Sequence, residues 1–301
     1  MKKDFLTIMD LSGEEIIAIV ERAAELKAGR DASLCPLIGK SVGLIFEKSS
    51  TRTRVSFEVG IYQLGGQPVT LKTDDIQMGR GETVADTART LSRYLSAVAI
   101  RTFEQERLEE FAYNATIPVI NALSDQHHPC QALADLLTVY EKKGALKGVS
   151  IAYVGDGNNV ANSLIEAASR TGMALTLACP DGYGPDTGIL ERALKESPTP
   201  IMVTSDPEAA VKGADVIYTD VWVSMGQEEE KQRRLKDFNG YQVNSSLLGM
   251  AKPDAIVMHC LPAYRGLEIS EEVLEGPASV VFDQAENRLH AQKSLLQHLL
   301  A

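Results

Sequence analysis

Short apolar runs of four to six residues recur along the chain, each closed by glycine, proline or polar residues. Between them lie longer stretches whose apolar positions repeat three and four residues apart. The runs suit buried strands and the stretches suit amphipathic helices. Strands are predicted at 41–46, 68–71, 97–101 and 117–120, and again at 149–154, 173–178, 201–204, 215–219, 255–259 and 279–282. Helical spacing fills 82–96, 158–171 and 206–212, the last opened by Asp206 with Pro207 at the first helical position. Ser12 and Glu15 form a capping box for an N-terminal helix that closes near Gly29. Such alternation predicts parallel sheets covered by helices on both faces. The expected fold is α/β, with two doubly wound parallel-sheet domains joined by interdomain helices.

The length of 301 residues supports the same division, at roughly 150 residues per domain. Pro129 suits the first turn of a helix, and Leu133, Leu136, Leu137 and Tyr140 continue at helical spacing until Gly144. The expected layout is a first domain over 1–130, a linking helix over 131–144, a second domain over 145–283, and a C-terminal helix over 284–301 packing back on the first domain. A formal charge of −11 argues against nucleic acid or an anionic membrane as a partner, and it favours a cationic substrate. No apolar run reaches the length of a membrane span. Asp4 and Asp10 interrupt any signal-peptide core. Cys35, Cys130, Cys179 and Cys260 are scattered without a Cys-x-x-Cys pair, which fits a reducing compartment, so the expected location is cytoplasmic.

The chemistry gathers at strand ends. After the run 41–46 comes Glu47-Lys48-Ser49-Ser50-Thr51-Arg52-Thr53-Arg54, where a strand turns into a helix. A helix start, hydroxyls and a guanidinium together suit an anion, phosphate best of all; an ordinary Ser-capped helix with solvated arginines is the competing reading. Arg52 and Arg54 do not share a helix face, so one meets the anion and the other braces the scaffold. Open parallel sheets bind ligands beyond the carboxyl ends of their strands. Ser50 to Arg54, Gln77, Arg101, His128, Asn158, Asn159, Asp220, Cys260 and Leu261 all fall at such positions, which points to one cleft between the domains. Arg52, Arg101 and His128 are suited to holding a phosphate and polarising a neighbouring carbonyl. A metal on His127, His128 and Cys130 is disfavoured, because adjacent histidines followed by proline do not converge easily on one ion.

Gly155-Asp156-Gly157-Asn158-Asn159-Val160 is a weak match to a dinucleotide loop, with Val160 in place of the third glycine. Asn158 or Asn159 either presents an amide to a substrate carboxylate or caps the next helix. Asp220, then Trp222, Ser224, Met225 and Gly226, reads as a mobile loop over a site or as a surface loop packed on Trp222. Cys260 follows the last strong strand, where a reactive thiol and inert packing are both open.

Taken together, Ser50-Thr51-Arg52-Thr53-Arg54, His128-Pro129-Cys130-Gln131, Asp220-x-Trp222-x-Ser224-Met225-Gly226 and His259-Cys260-Leu261-Pro262 resemble the aspartate and ornithine carbamoyltransferases over essentially the whole chain. The last two motifs resemble the ornithine branch. The resemblance implies that the first domain binds carbamoyl phosphate and the second L-ornithine, with no metal and no cofactor. It implies carbamoyl phosphate contacts from Ser50, Thr51, Arg52, Thr53, Gln77, Arg101, His128, Pro129, Cys130, Gln131, Cys260, Leu261 and Arg288. Ornithine contacts are implied at Asn159, Asp220, Ser224 and Met225, and Arg101, His128, Cys260 and Asp220 carry the catalytic roles. Gln77 matches a loop shared with a neighbouring subunit, which implies a homotrimer. The implied setting is arginine biosynthesis. The alternatives are a transcarbamoylase with another acceptor (N-acetylornithine, putrescine or aspartate), a nicotinamide-dependent dehydrogenase using the Gly155 loop, and a homologue that only binds partners.

Overall fold

The computed structural model describes residues 2–30, 35–72, 81–224 and 226–300. The chain divides into two compact units, Met1–Leu137 with Glu286–Ala301, and Thr138–Ala285.

The first unit runs α1 (Gly13–Lys27), β1 (Ser41–Phe46), α2 (Thr51–Gln63), β2 (Gln67–Lys72), α3 (Val84–Leu91), β3 (Ala97–Arg101), α4 (Gln105–Asn114), β4 (Val119–Leu123) and α5 (Pro129–Lys143). Ser12 and Glu15 make the capping box at the start of α1. The four strands pair in parallel in the order β2-β1-β3-β4. Val42, Leu44 and Ile45 of β1 and Ala97 to Ile100 of β3 are buried, because helices cover both faces of a parallel sheet. Ile45, Val98, Ile100, Leu108, Phe111 and Val119 form one core cluster, each worth about 1.5–3 kcal/mol of burial. The chain begins on β1, steps outward to β2, then returns across β1 to β3, so the order reverses between β1 and β3.

The second unit runs β5 (Ser150–Val154), α6 (Asn159–Thr171), β6 (Ala174–Ala178), α7 (Thr187–Glu196), β7 (Ile201–Thr204), α8 (Pro207–Val211), β8 (Val216–Thr219), α9 (Lys231–Asp237), α10 (Ser245–Leu248), β9 (Ile256–His259), α11 (Glu271–Leu274) and α12 (Val281–Leu300). Its five parallel strands lie in the order β7-β6-β5-β8-β9, reversing between β5 and β8. Both unit boundaries fall inside helices, α5 and α12. From Glu286 onward α12 belongs to the first unit: Ser294 Oγ donates to the Ile19 carbonyl at 2.8 Å, and Arg22 Nε donates to Gln297 Oε1 at 3.0 Å.

Two strand expectations change. The run at 279–282 is helical from Val281, and only Ser279 bridges Val257 of β9. A short apolar run fits a strand or a buried helix turn, and here the helical spacing that follows decides. The strand expected at 117–120 is shifted to Val119–Leu123. Pro118 has no N–H for a ladder; its carbonyl instead accepts from Val98 N–H at 3.0 Å.

Candidate active site

In the first unit the residues after β1 and β3 come together. Ser50 is the N-cap of α2, its hydroxyl accepting from Thr53 N–H at 3.2 Å, so the first turn of α2 carries Thr51, Arg52 and Thr53. Arg288 of α12 reaches the same turn, Nη2 donating to Thr53 Oγ1 at 3.0 Å and Nη1 to Gln131 Oε1 at 2.6 Å. Gln131 in turn donates to Asp135 at 2.8 Å, which fixes its amide with the oxygen toward Arg288. Arg101 closes β3 as a buried charge. The His128 carbonyl accepts from Gln131 N–H at 3.0 Å at the start of α5, with Pro129 the first helical residue.

Burial pushes His128 well below its ordinary value, and the charges of Arg288, Arg101 and Arg52 push it further. At neutral pH the imidazole is therefore uncharged among three guanidiniums. Such a centre attracts an anion and offers a neutral ring to a carbonyl oxygen. Arg54 takes the other path expected for it: Nε donates to Glu58 at 3.0 Å on the helix surface. The Cys130 thiol is pushed up to about 12 by burial and donates to the Asn121 carbonyl at 3.3 Å. It is packing rather than a nucleophile.

In the second unit, Asp220 follows β8 and is buried. Its Oδ1 accepts from the Cys260 thiol, which follows β9, at 3.0 Å, and its Oδ2 accepts from Asn158 Nδ2 at 2.8 Å. Asn159 is the first residue of α6. Leu261 adopts a left-handed backbone, φ 57°, uncommon for a branched side chain. Its N–H donates to His259 Nδ1 at 2.9 Å, while His259 Nε2 lies 3.1 Å from Glu268. Asp220, His259 and Cys260 offer ligand atoms within 4.8 Å of one another, yet both ring nitrogens of His259 are committed, so the trio is not a ready metal set. Ser224 N–H donates to Gln227 Oε1 at 3.0 Å, four residues along the loop from Asp220.

Gln77 and Met225 lie outside the described residues. Some supporting residues escaped the sequence reading. Lys48 is buried, pairs with Asp125 and lies over the Phe103 ring at 4.1 Å to its centroid, tying the turn before α2 to the segment that carries His128. Arg234 bonds Asp156 at 2.9 Å and the Trp222 carbonyl at 3.0 Å, anchoring the 220s loop. Burial pushes Asp156 up to about 6, still ionised at neutral pH beside that guanidinium. A charged residue next to a buried strand was the only signal for Lys48; nothing local marked Arg234.

The Gly155 loop is not built for a dinucleotide. Asn158 Oδ1 already accepts from Val160 and Ala161 N–H at 2.9 and 3.3 Å, where a pyrophosphate would sit. Among the described residues no helix is long and apolar enough to cross a membrane.

Comparison with known proteins agrees with this geometry. Residues 3–141 match the carbamoyl-P binding domain of aspartate/ornithine carbamoyltransferase, and residues 147–299 match its Asp/Orn binding domain. The chain is 57% identical to an ornithine carbamoyltransferase of Syntrophus aciditrophicus, over 100% of both chains, and 55% identical to one of Methanosarcina mazei, again over 100% of both. A solved ornithine carbamoyltransferase from Pyrococcus furiosus superposes with a TM-score of 0.95 at 50% identity, covering 99% of this chain and 97% of that one. With both domain models matched and relatives this similar over their full length, the chain belongs to the aspartate/ornithine carbamoyltransferase family.

Proposed function

We propose that this protein transfers the carbamoyl group of carbamoyl phosphate to the δ-amine of L-ornithine, giving L-citrulline and phosphate. The observation that carries the donor half is neutral His128 among Arg52, Arg101 and Arg288 at the start of α2. The names of the full-length relatives support the acceptor.

Ser50, Thr51, Arg52 and Thr53 hold the phosphate at the helix start, where backbone N–H groups and the dipole favour an anion. Arg101, His128 and Thr53 face the carbamoyl oxygen, and Gln131 with the backbone of Cys260 and Leu261 faces its amino group. Ornithine is bound by Asn159, Asp220, Ser224 and Met225, and Cys260 shares the work of orienting it. The δ-amine resembles lysine, with a reference pKa of about 10.4, so only about one molecule in 2,500 is neutral in water at pH 7. A site that excludes water favours the neutral amine. Its nitrogen forms a bond to the carbamoyl carbon, and the carbonyl electrons move to an oxygen facing Arg101 and His128. The C–O bond to phosphate then breaks, and the proton given up by the amine balances the charge on the departing phosphate.

The same resemblance supports a homotrimer that shares the Gln77 loop between subunits, a role in arginine biosynthesis, and a cytoplasmic location. The deciding experiment is citrulline formation by the purified protein with carbamoyl phosphate and L-ornithine, run beside aspartate, N-acetylornithine and putrescine. Turnover with ornithine alone is expected. Preference for any other acceptor overturns the assignment.

A further inference from the structure

In the second unit the strand order reverses between β5 and β8, and two residues meet across that reversal. Asn158 ends the loop after β5 and Asp220 stands just after β8; they are joined by the 2.8 Å bond from Asn158 Nδ2 to Asp220 Oδ2. We propose that Asn158 is a positioning residue that locks the Asp220 carboxylate, so that Asp220 and Cys260 present one fixed acceptor group to the amino-acid substrate. The proposal rests on the ornithine reading above.

The orientation of the Asn158 amide is decided by its surroundings. Oδ1 accepts from the N–H groups of Val160 and Ala161, capping α6. Turning the amide over would aim its NH2 at two N–H donors and its oxygen at a carboxylate, both repulsive. The donor must therefore face Asp220. The backbone that carries Asn158 is equally constrained. Gly155 has φ 146°, open to glycine, and a Cβ on Gly157 would lie 2.2 Å from the Gly184 carbonyl carbon. Gly157 N–H also donates to the Tyr183 carbonyl at 2.8 Å, and the Tyr153 hydroxyl donates to the Asp156 carbonyl at 2.7 Å.

Asp220 thus takes one donor on each oxygen, the Asn158 amide on Oδ2 and the Cys260 thiol on Oδ1. A carboxylate has about four lone-pair sites, so about two remain for an N–H donor of the substrate. With both side-chain torsions pinned from opposite sides, those sites point in one direction. Removing the amide leaves only the weaker thiol donor, and the carboxylate turns.

The test separates capping from positioning, because serine and aspartate cap helices about as well as asparagine. Asn158→Ser is expected to keep Tm within about 5 °C of the parent, and Asn158→Asp, which sets a second carboxylate against Asp220, to lower it further. Losing a hydrogen bond to a charged group is expected to raise the KM for ornithine by about 10- to 100-fold, with Asp the more severe, while the KM for carbamoyl phosphate stays within about twofold. Unchanged ornithine KM in both folded variants overturns the proposal. A readout without substrate keeps the two hypotheses apart: the iodoacetamide alkylation rate of Cys260, followed peptide by peptide by mass spectrometry. Asn158→Ser is expected to raise that rate severalfold as Asp220 turns away from the thiol, and an unchanged rate counts against the lock even if the parent protein makes no citrulline. Absence of citrulline from the parent, with the alkylation shift present, sinks the ornithine reading and leaves the lock standing.

Discussion

In the four-stranded sheet the strand order turns back between β1 and β3, and in the five-stranded sheet between β5 and β8. Each reversal is followed by a helix start, α2 in one unit and α6 in the other, at the place where open parallel sheets hold ligands. The side chains there have opposite characters. Arg52, Arg101 and Arg288 surround a neutral His128 in the first unit, whereas Asp220, a thiol and an amide meet in the second. Ser50 takes one N–H of α2, while Asn158 takes two of α6. The first helix start suits an anion, and the second leaves fewer N–H groups for one. The same topology therefore supplies two addresses, and the charge placed at each decides what binds there.

The comparison can be broken most sharply by exchanging its charges. Arg101→Ala is expected to lower kcat by about 10³-fold, the scale of removing an oxyanion donor. Asp220→Asn is expected to cost less, about 10²-fold in kcat/KM for ornithine, with carbamoyl phosphate affinity retained by calorimetry. If Asp220→Asn instead weakens carbamoyl phosphate, the division between the units is wrong.

A gentler test uses pH. His128 is held below its unfolded value, so the unfolded chain binds the extra proton first, and stability falls as pH drops below about 6.5. Urea melts of the parent and of His128→Gln at pH 7 and pH 5 should diverge by up to about 1.4 kcal/mol per pH unit, the parent losing more. Parallel curves would mean that the imidazole is not the buried neutral group described.

The smallest effect belongs to Arg54. Its ion pair with Glu58 lies on the surface of α2, so Arg54→Ala should cost at most about 1 kcal/mol and leave activity per folded molecule within about threefold. A loss matching that of Arg101→Ala would show that the arginines of the motif do not divide their work.

Much of this was legible in the chain itself. Capping signals at Ser12 and Asp206 placed helix starts because a side-chain oxygen answers N–H groups two or three residues away, a purely local bond. Apolar runs marked the central strands for the same reason, since a strand buried on both faces needs no partner to be recognised. The run at 279–282 misled because three consecutive apolar residues, Val280 to Phe282, fit either period. Ser50 to Thr53, Arg101, His128 and Asp220 stood out as polar groups at strand ends. Arg288 was reached only through the family resemblance, and Lys48 and Arg234 not at all, since each finds its partner through tertiary contact.

Alone, then, the order of residues determined the α/β alternation, the helix caps and which strand ends carry reactive groups, because these depend on spacing and on bonds between near neighbours. Tertiary structure decided that the Asn158 amide turns to Asp220, that Cys260 donates to the other oxygen, and that three arginines surround His128. Those outcomes depend on strand order and on burial, which bring distant residues within hydrogen-bond and Coulomb range and which no local pattern encodes.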